Sequence, residues 1–189
     1  MILVYGTASS GKSNIAENMA VDHSKKSDTS LVYIATMENK SDAAKERIKR
    51  HREQREGKGF YTIEEMYNLA AHDLSVLNKT VLIECMSNLC ANIYYKEFGD
   101  AIVNDSDIKR ATDYIVNGLV KLSKTASEVI IVSNDVFSDG RAYDKWTERY
   151  MKFLADVNSE IAKMSNEFYE VINGIPVLIK KGNKINEVF

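Results

Sequence analysis

Short apolar runs alternate along this chain with longer stretches in which apolar residues recur every three or four positions. A helical pattern follows the first run, with Ile15 and Met19 four residues apart. Four runs are typical of strands buried on both faces, as in a parallel sheet covered by helices: residues 2–5, 31–35, 81–85 and 129–132. Further helices are predicted at 41–56, 86–97, 107–123 and 144–165. The alternation predicts an α/β fold with a mostly parallel sheet and helices on both faces.

The C-terminal part of the chain carries two more patterns. Runs at 168–172 and 175–179 flank Asn173-Gly174, a dipeptide that favours a tight hairpin turn, so a C-terminal antiparallel hairpin is predicted. Within 144–165, apolar residues form one stripe of a predicted helix: Trp146, Tyr150, Phe153, Val157, Ile161 and Met164. This stripe either packs against the sheet or supplies a contact between subunits.

The composition argues against several classes of protein. The 189 residues are 44% hydrophobic and 28% charged, so we expect one globular domain over residues 1–189. The net charge of -2 argues against nucleic-acid binding, which depends on a cationic surface. No apolar run reaches the roughly 18 residues that span a bilayer, and the N-terminus lacks a signal-peptide pattern. We therefore expect a cytoplasmic protein without a membrane span. The pair Cys85 and Cys90 indicates neither a zinc site nor a disulfide framework.

A phosphate-binding loop is the clearest chemical motif. Residues 6–13 match G-x-x-x-x-G-K-[ST] at each fixed position and lie between a predicted strand and a predicted helix. The nucleotide-binding residues predicted here are Gly6, Thr7, Ala8, Ser9, Ser10, Gly11, Lys12 and Ser13. In such loops backbone N–H groups and the helix N-terminus surround the phosphates, the lysine reaches the β- and γ-phosphates, and the hydroxyl ligates Mg²⁺. A chance Gly/Ser turn is the alternative, which the flanking strand and helix argue against.

A second acidic group is expected near the metal of a P-loop, at the end of a neighbouring strand. Glu84 ends the third apolar run and occupies such a position. We therefore predict that Ser13 and Glu84 hold Mg²⁺. The alternative is a glutamate at the end of a strand that simply faces water.

The segment from Lys45 to Lys58 is strongly basic, with seven cationic and three anionic residues. On a helix, Arg47, His51 and Arg55 share one face because they are four residues apart. Cations around His51 disfavour protonation of its ring, so a neutral and nucleophilic histidine is expected. The same cations would attract a nucleoside triphosphate. The alternative is a solvated charged helix with an incidental histidine.

Taken together, these residues resemble the bifunctional adenosylcobinamide kinase/adenosylcobinamide-phosphate guanylyltransferases of cobalamin biosynthesis. The resemblance covers nearly the whole chain. It includes the P-loop, the pattern R-I-x-x-H-x-x-x-R at Arg47 to Arg55, Thr62 and Glu64, the acidic-Cys strand end at Glu84-Cys85, Asn92, the segment Val132-Ser-Asn134, and Asn158. The His51 match is the most specific of these, because P-loops are common to many enzymes.

The resemblance implies a P-loop NTPase fold and a transferase with two activities. One phosphorylates adenosylcobinamide with GTP or ATP and Mg²⁺, and the other transfers GMP from GTP to adenosylcobinamide phosphate. By analogy with the family, Lys12 and His51 are catalytic, and His51 becomes guanylylated. The resemblance also implies further residues that line the nucleotide site: Thr36, Arg52, Glu53, Gln54, Arg55, Glu64 and Glu84. Family members form homo-oligomers, so a homo-oligomer is expected.

The chain also departs from the family's pattern. Ser9 stands where many members have arginine, and Asp135-Val136-Phe137 follows Asn134 where the family usually has E-V-G. Two alternatives to the bifunctional enzyme follow from the residues alone: a P-loop kinase that acts on another small alcohol, and a nucleotide-binding regulatory protein that acts through a partner.

Overall fold

The computed structural model of the chain describes residues 1–101, 103–137, 140–182 and 184–185. In these ranges the strands are β1 (Ile2–Gly6), β2 (Leu31–Ala35), β3 (Phe60–Glu64), β4 (Thr80–Glu84), β5 (Glu128–Asn134), β6 (Glu167–Ile172), β7 (Ile175–Lys181) and β8 (Lys184–Ile185). The α-helices are α1 (Lys12–Ser27), α2 (Asp42–Arg55), α3 (Met86–Phe98), α4 (Asp105–Thr125) and α5 (Lys145–Met164). Two short 3₁₀ turns, Leu69–His72 and Leu74–Val76, precede β4.

All strands belong to one sheet in the order β3-β2-β4-β5-β1-β6-β7-β8. The pairs from β3 to β6 are parallel, whereas β7 runs antiparallel to β6 and β8 antiparallel to β7. Asn173 and Gly174 form the turn between β6 and β7 with φ angles of 48° and 81°. Two left-handed residues are what a type I′ hairpin turn requires. The predicted mostly parallel sheet and C-terminal hairpin are both confirmed.

The apolar core has two parts, one on each face of the sheet. On one face, Ala16 and Ala20 of α1 pack with Val4, Ile130 and other strand residues. On the other face α3, α4 and α5 share one larger cluster with the sheet. The predicted helices on both faces are therefore confirmed.

The apolar stripe of α5 lies mostly inside this larger cluster. Phe153, Val157 and Ile161 are completely buried within one chain. At the edge of the stripe, the Trp146 indole donates a hydrogen bond to the Gly99 carbonyl (2.7 Å), and the Tyr150 hydroxyl donates one to the Ser87 carbonyl (3.0 Å). Of the two interpretations of the stripe, packing against the sheet is confirmed. Homo-oligomer formation stays a prediction.

Strand β3 was not predicted from the apolar pattern. It lies next to β2 at the edge of the sheet, and Phe60 and Ile63 are only partly buried while Tyr61, Thr62 and Glu64 are exposed. An edge strand needs no continuous apolar run, because one side of it faces solvent. It pairs with β2 through the main chain, and its aromatic and β-branched residues suit a strand.

Helix α2 differs from the other helices because it adds no residue to either part of the described core. Its single buried residue is Arg55, and most of its other side chains are exposed. The helix begins after Ser41, whose hydroxyl accepts a hydrogen bond from the Ala44 N–H (3.1 Å). Its residues line a cavity together with the C-terminal ends of β2, β4 and β5.

Candidate active site

The P-loop joins β1 to α1 and is shaped by its glycines. Gly11 has a φ of 89°, a left-handed conformation that glycine adopts without steric cost. A Cβ on Gly6 would lie 2.7 Å from the Val171 carbonyl oxygen of β6, closer than side-chain atoms tolerate. The Gly174 N–H donates a hydrogen bond to the Ser10 carbonyl (2.8 Å), so the C-terminal hairpin turn braces the loop. The geometry of the P-loop therefore depends on its contacts with β6 and with the turn between β6 and β7.

Lys12 begins α1 beneath the loop and is 7% exposed. Its ammonium donates a hydrogen bond to the Thr7 carbonyl (2.9 Å), which holds the side chain along the loop. Burial lowers the pKa of Lys12 below its usual value, while the nearby Cys85 and Glu84 act in the opposite direction. A cation at this position can contact the phosphates of a bound nucleotide.

Ser13 and Glu84, the two residues predicted to hold Mg²⁺, lie side by side. The Ser13 hydroxyl donates a hydrogen bond to Oε1 of Glu84, and the Tyr33 hydroxyl donates one to Oε2 (2.9 Å). Glu84 is 8% exposed and ends β4, so it does not simply face water. A hydroxyl and a carboxylate side by side are oxygen donors of the kind Mg²⁺ prefers. The residues present therefore fit a magnesium ion.

These groups line a cavity of about 710 Å³ between the P-loop, α2 and the strand ends. The predicted residues in its wall are Ala8, Ser9, Gly11, Lys12, Ser13, His51, Arg52, Glu53, Gln54, Arg55, Glu64 and Glu84. Gly6, Thr7 and Ser10 belong to the loop but do not line the cavity. Thr36 does not line it either: its side chain is fully buried and donates to the Cys85 carbonyl (2.8 Å).

His51 projects from α2 toward Glu84. Its Nδ1 lies 3.9 Å from Oε2 of Glu84 and is buried, while the side chain as a whole is 23% exposed. Arg47 and Arg55, predicted to share its face, line the same cavity. The histidine, the P-loop lysine and the strand-end glutamate therefore meet in one site, although 39 positions separate Lys12 from His51.

Polar contacts hold α2 over the cavity. The Arg55 guanidinium lies 3.4 Å from the ring centroid of Tyr33 on β2, a close cation–π contact. Arg52 pairs with Glu64 of β3 at 2.8 Å, but both side chains are more than half exposed. Just beyond the helix, Lys58 pairs with the buried Glu17 of α1 at 2.6 Å. Burial raises the pKa of the Tyr33 hydroxyl, which keeps it a hydrogen-bond donor to Glu84.

The structure adds residues that the motifs did not single out as site residues. Tyr33, Asn88 and Asn134 line the cavity. Glu17 lies beside it: one oxygen of Glu17, one oxygen of Glu84 and one ring nitrogen of His51 are all within 4.8 Å of one another. Asn134 was visible in the sequence as part of the family resemblance. Glu17 carried no signal, because a glutamate within a helix is usually exposed.

The loop, the lysine and the parallel sheet define this chain as a P-loop nucleotide-binding protein. A solved structure described as an ATPase domain has the same fold, with a TM-score of 0.55, 8% identity, and coverage of 98% of this chain and 78% of that one. Among the described residues, no helix combines the length and apolarity needed to cross a membrane.

Sequence comparison then gives the family. Residues 2–179 match the family model described as cobinamide kinase / cobinamide phosphate guanyltransferase, and the chain belongs to this family. Two curated relatives carry the name bifunctional adenosylcobalamin biosynthesis protein CobU. The Escherichia coli protein is 29% identical over 186 residues, which cover 95% of this chain and 99% of the relative. The Salmonella typhimurium protein is 27% identical over 187 residues, with the same coverage of both chains. The chain is thus an enzyme of the kinase and guanylyltransferase type.

Proposed function

We propose that this protein phosphorylates adenosylcobinamide and then transfers GMP from GTP to adenosylcobinamide phosphate through a guanylylated His51. The supporting observation is that His51 shares one cavity with Lys12 and Glu84. A kinase needs only the P-loop and a metal to position the γ-phosphate. The same cavity also holds a histidine, a residue type that can attack the α-phosphate as a nucleophile, which the kinase reaction does not require.

In the kinase reaction, the aminopropanol hydroxyl of adenosylcobinamide attacks the γ-phosphorus of GTP or ATP. The bond between that phosphorus and the bridging oxygen breaks, the nucleoside diphosphate leaves with the bonding electrons, and the hydroxyl proton is released to solvent. Lys12 and the P-loop N–H groups stabilise the charge that develops on the transferred phosphoryl group. Ser13 and Glu84 would hold Mg²⁺, which neutralises phosphate charge when it is bound.

In the guanylyl transfer, a ring nitrogen of His51 attacks the α-phosphorus of GTP. The bond between that phosphorus and the bridging oxygen breaks, and pyrophosphate leaves into surroundings rich in positive charge, including Arg47 and Arg55. A phosphate oxygen of adenosylcobinamide phosphate then attacks the same phosphorus. The N–P bond breaks, His51 is regenerated, and adenosylcobinamide-GDP is formed.

The direct test uses the purified protein with adenosylcobinamide or its phosphate, each with GTP and with ATP. We expect sustained pyrophosphate release, beyond the one equivalent per chain that accompanies adduct formation, only when GTP and the phosphorylated corrinoid are both present, with adenosylcobinamide-GDP identified by mass spectrometry. Phosphorylation of adenosylcobinamide without any pyrophosphate release would favour a kinase with a single activity. A GTPase rate that depends on a protein partner and on no corrinoid would favour the regulatory alternative.

The proposed magnesium site has its own test. Glu84→Gln should lower Mg²⁺-dependent turnover more than it lowers nucleotide binding measured in EDTA, because the amide is a poorer magnesium ligand. Tyr33→Phe is the matched control: it removes the hydrogen bond to the other carboxylate oxygen but keeps the carboxylate. Equal losses of turnover and of metal-free binding in Glu84→Gln would contradict a role in metal binding.

A further inference from the structure

Glu17 is a buried carboxylate to which the nucleotide site assigns no role. It lies on α1, one turn after Ser13, and is 1% exposed. Its Oε2 pairs with the Lys58 ammonium (2.6 Å), while its Oε1 is buried and has no hydrogen-bond partner among the described residues. Leaving a buried acceptor unpaired is unfavourable, so this oxygen needs a hydrogen-bond donor.

His51 offers the complementary group. Its Nδ1 is also buried and also lacks a hydrogen-bond partner among the described residues. A ring nitrogen of His51 and a carboxylate oxygen of Glu17 lie within 4.8 Å of each other, in the cluster that also includes Glu84. This separation is longer than a hydrogen bond, so the proposed contact requires the two side chains to move closer together.

Glu84 is less suited to this partnership although it is closer to the histidine. Its Oε1 accepts from Ser13 and its Oε2 accepts from Tyr33. It is also the carboxylate that we propose for Mg²⁺. The two carboxylates can therefore have separate roles: Glu84 would bind the metal, and Glu17 would accept a hydrogen bond from the histidine.

We propose that Glu17 is the positioning residue for His51, accepting a hydrogen bond from its Nδ1–H. This inference rests on the proposed guanylyl transfer. Nδ1 is the buried ring nitrogen, and holding the proton there leaves the lone pair on Nε2, which is then the nucleophile. Nε2 then forms the bond to the α-phosphorus, the bond to the bridging oxygen breaks, and pyrophosphate takes its electron pair. The Nδ1 proton stays on the ring, where the Glu17 carboxylate stabilises the positive charge that develops.

The first test is the rate at which the protein acquires label from α-labelled GTP in a single turnover. Glu17→Gln keeps the size of the side chain but removes its charge. We expect the adduct to form about 10- to 100-fold more slowly, with GTP affinity changed less than about twofold. Glu65→Gln is the matched control and should leave the rate unchanged, because Glu65 pairs with His72 (2.8 Å), a histidine outside the cavity.

The second test needs no variant. The ¹⁵N chemical shifts of the neutral His51 ring report which nitrogen carries the proton, and we expect the proton on Nδ1 in the nucleotide-free protein. A proton on Nε2 would overturn the proposal. A structural role for Glu17, limited to anchoring Lys58, would lower thermal stability and GTP affinity together without a selective loss of rate.

Three further outcomes are decisive. A Glu17→Gln rate equal to that of the natural protein overturns the positioning role but leaves the guanylyl transfer intact. If Glu17→Gln forms the adduct slowly and high Mg²⁺ restores the natural rate, Glu17 is a metal ligand, and the positioning role is overturned as well. The absence of any adduct in the natural protein is a failure of the proposed function instead, and the ¹⁵N measurement still decides where the ring proton lies.

Discussion

Helices α2 and α5 are held in the protein by different forces. Helix α5 buries Phe153, Leu154, Val157 and Ile161 completely, so its position is set by the area of apolar surface removed from water. Helix α2 buries only Arg55, and its neighbours hold it through a cation–π contact and ion pairs. In the function we propose, α2 presents His51 and several arginines to phosphates, and none of its residues joins the described apolar core. The two helices therefore differ in what holds them in place: burial of apolar side chains for α5, and contacts of charged side chains for α2.

The largest expected effect tests whether apolar burial stabilises α5 more than α2. Ile161→Ala on α5 should lower the free energy of unfolding by about 2–5 kcal/mol, because it leaves a cavity in a fully packed core. Ile48→Ala on α2 is the matched truncation at a half-buried position and should cost about 1 kcal/mol or less. Chemical denaturation measures both. Similar losses at the two positions would contradict the distinction.

The next effect concerns binding and not stability. Lys12→Ala should weaken GTP binding about 100-fold or more, because it removes the buried cation that we propose contacts the phosphates. Lys25→Ala, near the end of the same helix, should change GTP affinity less than about twofold. Isothermal titration calorimetry measures the affinity, and circular dichroism checks that both variants fold. Unchanged GTP affinity in Lys12→Ala would refute the nucleotide-binding role of the P-loop.

The smallest effects separate the two contacts that hold α2. Arg55→Met should lower the free energy of unfolding by about 0.5–2 kcal/mol, because its guanidinium stacks on Tyr33 in a buried position. Arg52→Met removes an exposed ion pair with Glu64 and should cost only about 0–1 kcal/mol. Urea denaturation of both variants gives the difference. A larger loss in Arg52→Met would mean that the exposed pair anchors the helix.

Amphipathic patterns made much of the fold predictable from the sequence. The central strands are continuous apolar runs because both of their faces are covered, and α5 shows its buried stripe directly. Strand β3 escaped prediction because an edge strand can keep most of its residues exposed. The candidate site also has a part that the sequence predicts and a part that it does not. The P-loop is a local motif, readable at fixed spacing.

The rest of the site arises from tertiary packing. Tyr33 lies in a strand where an apolar residue is expected, and only the fold shows that its hydroxyl reaches Glu84 while Arg55 covers its ring. Glu17 is a single glutamate within a helix, and no spacing rule relates it to a histidine 34 positions away. Its place beside His51 follows from the way α1 and α2 approach each other near the strand ends.

The central claim is that His51 carries GMP during the reaction, and labelling of the protein tests it most directly. GTP labelled at the α-phosphate should leave label on the chain, whereas GTP labelled at the γ-phosphate should not. The bond would be a phosphoramidate, so the label should be lost in acid and survive mild alkali. His51→Ala should acquire no label, while the control His72→Ala should be labelled normally. Label that persists in His51→Ala, or a natural protein that acquires none, would contradict the account.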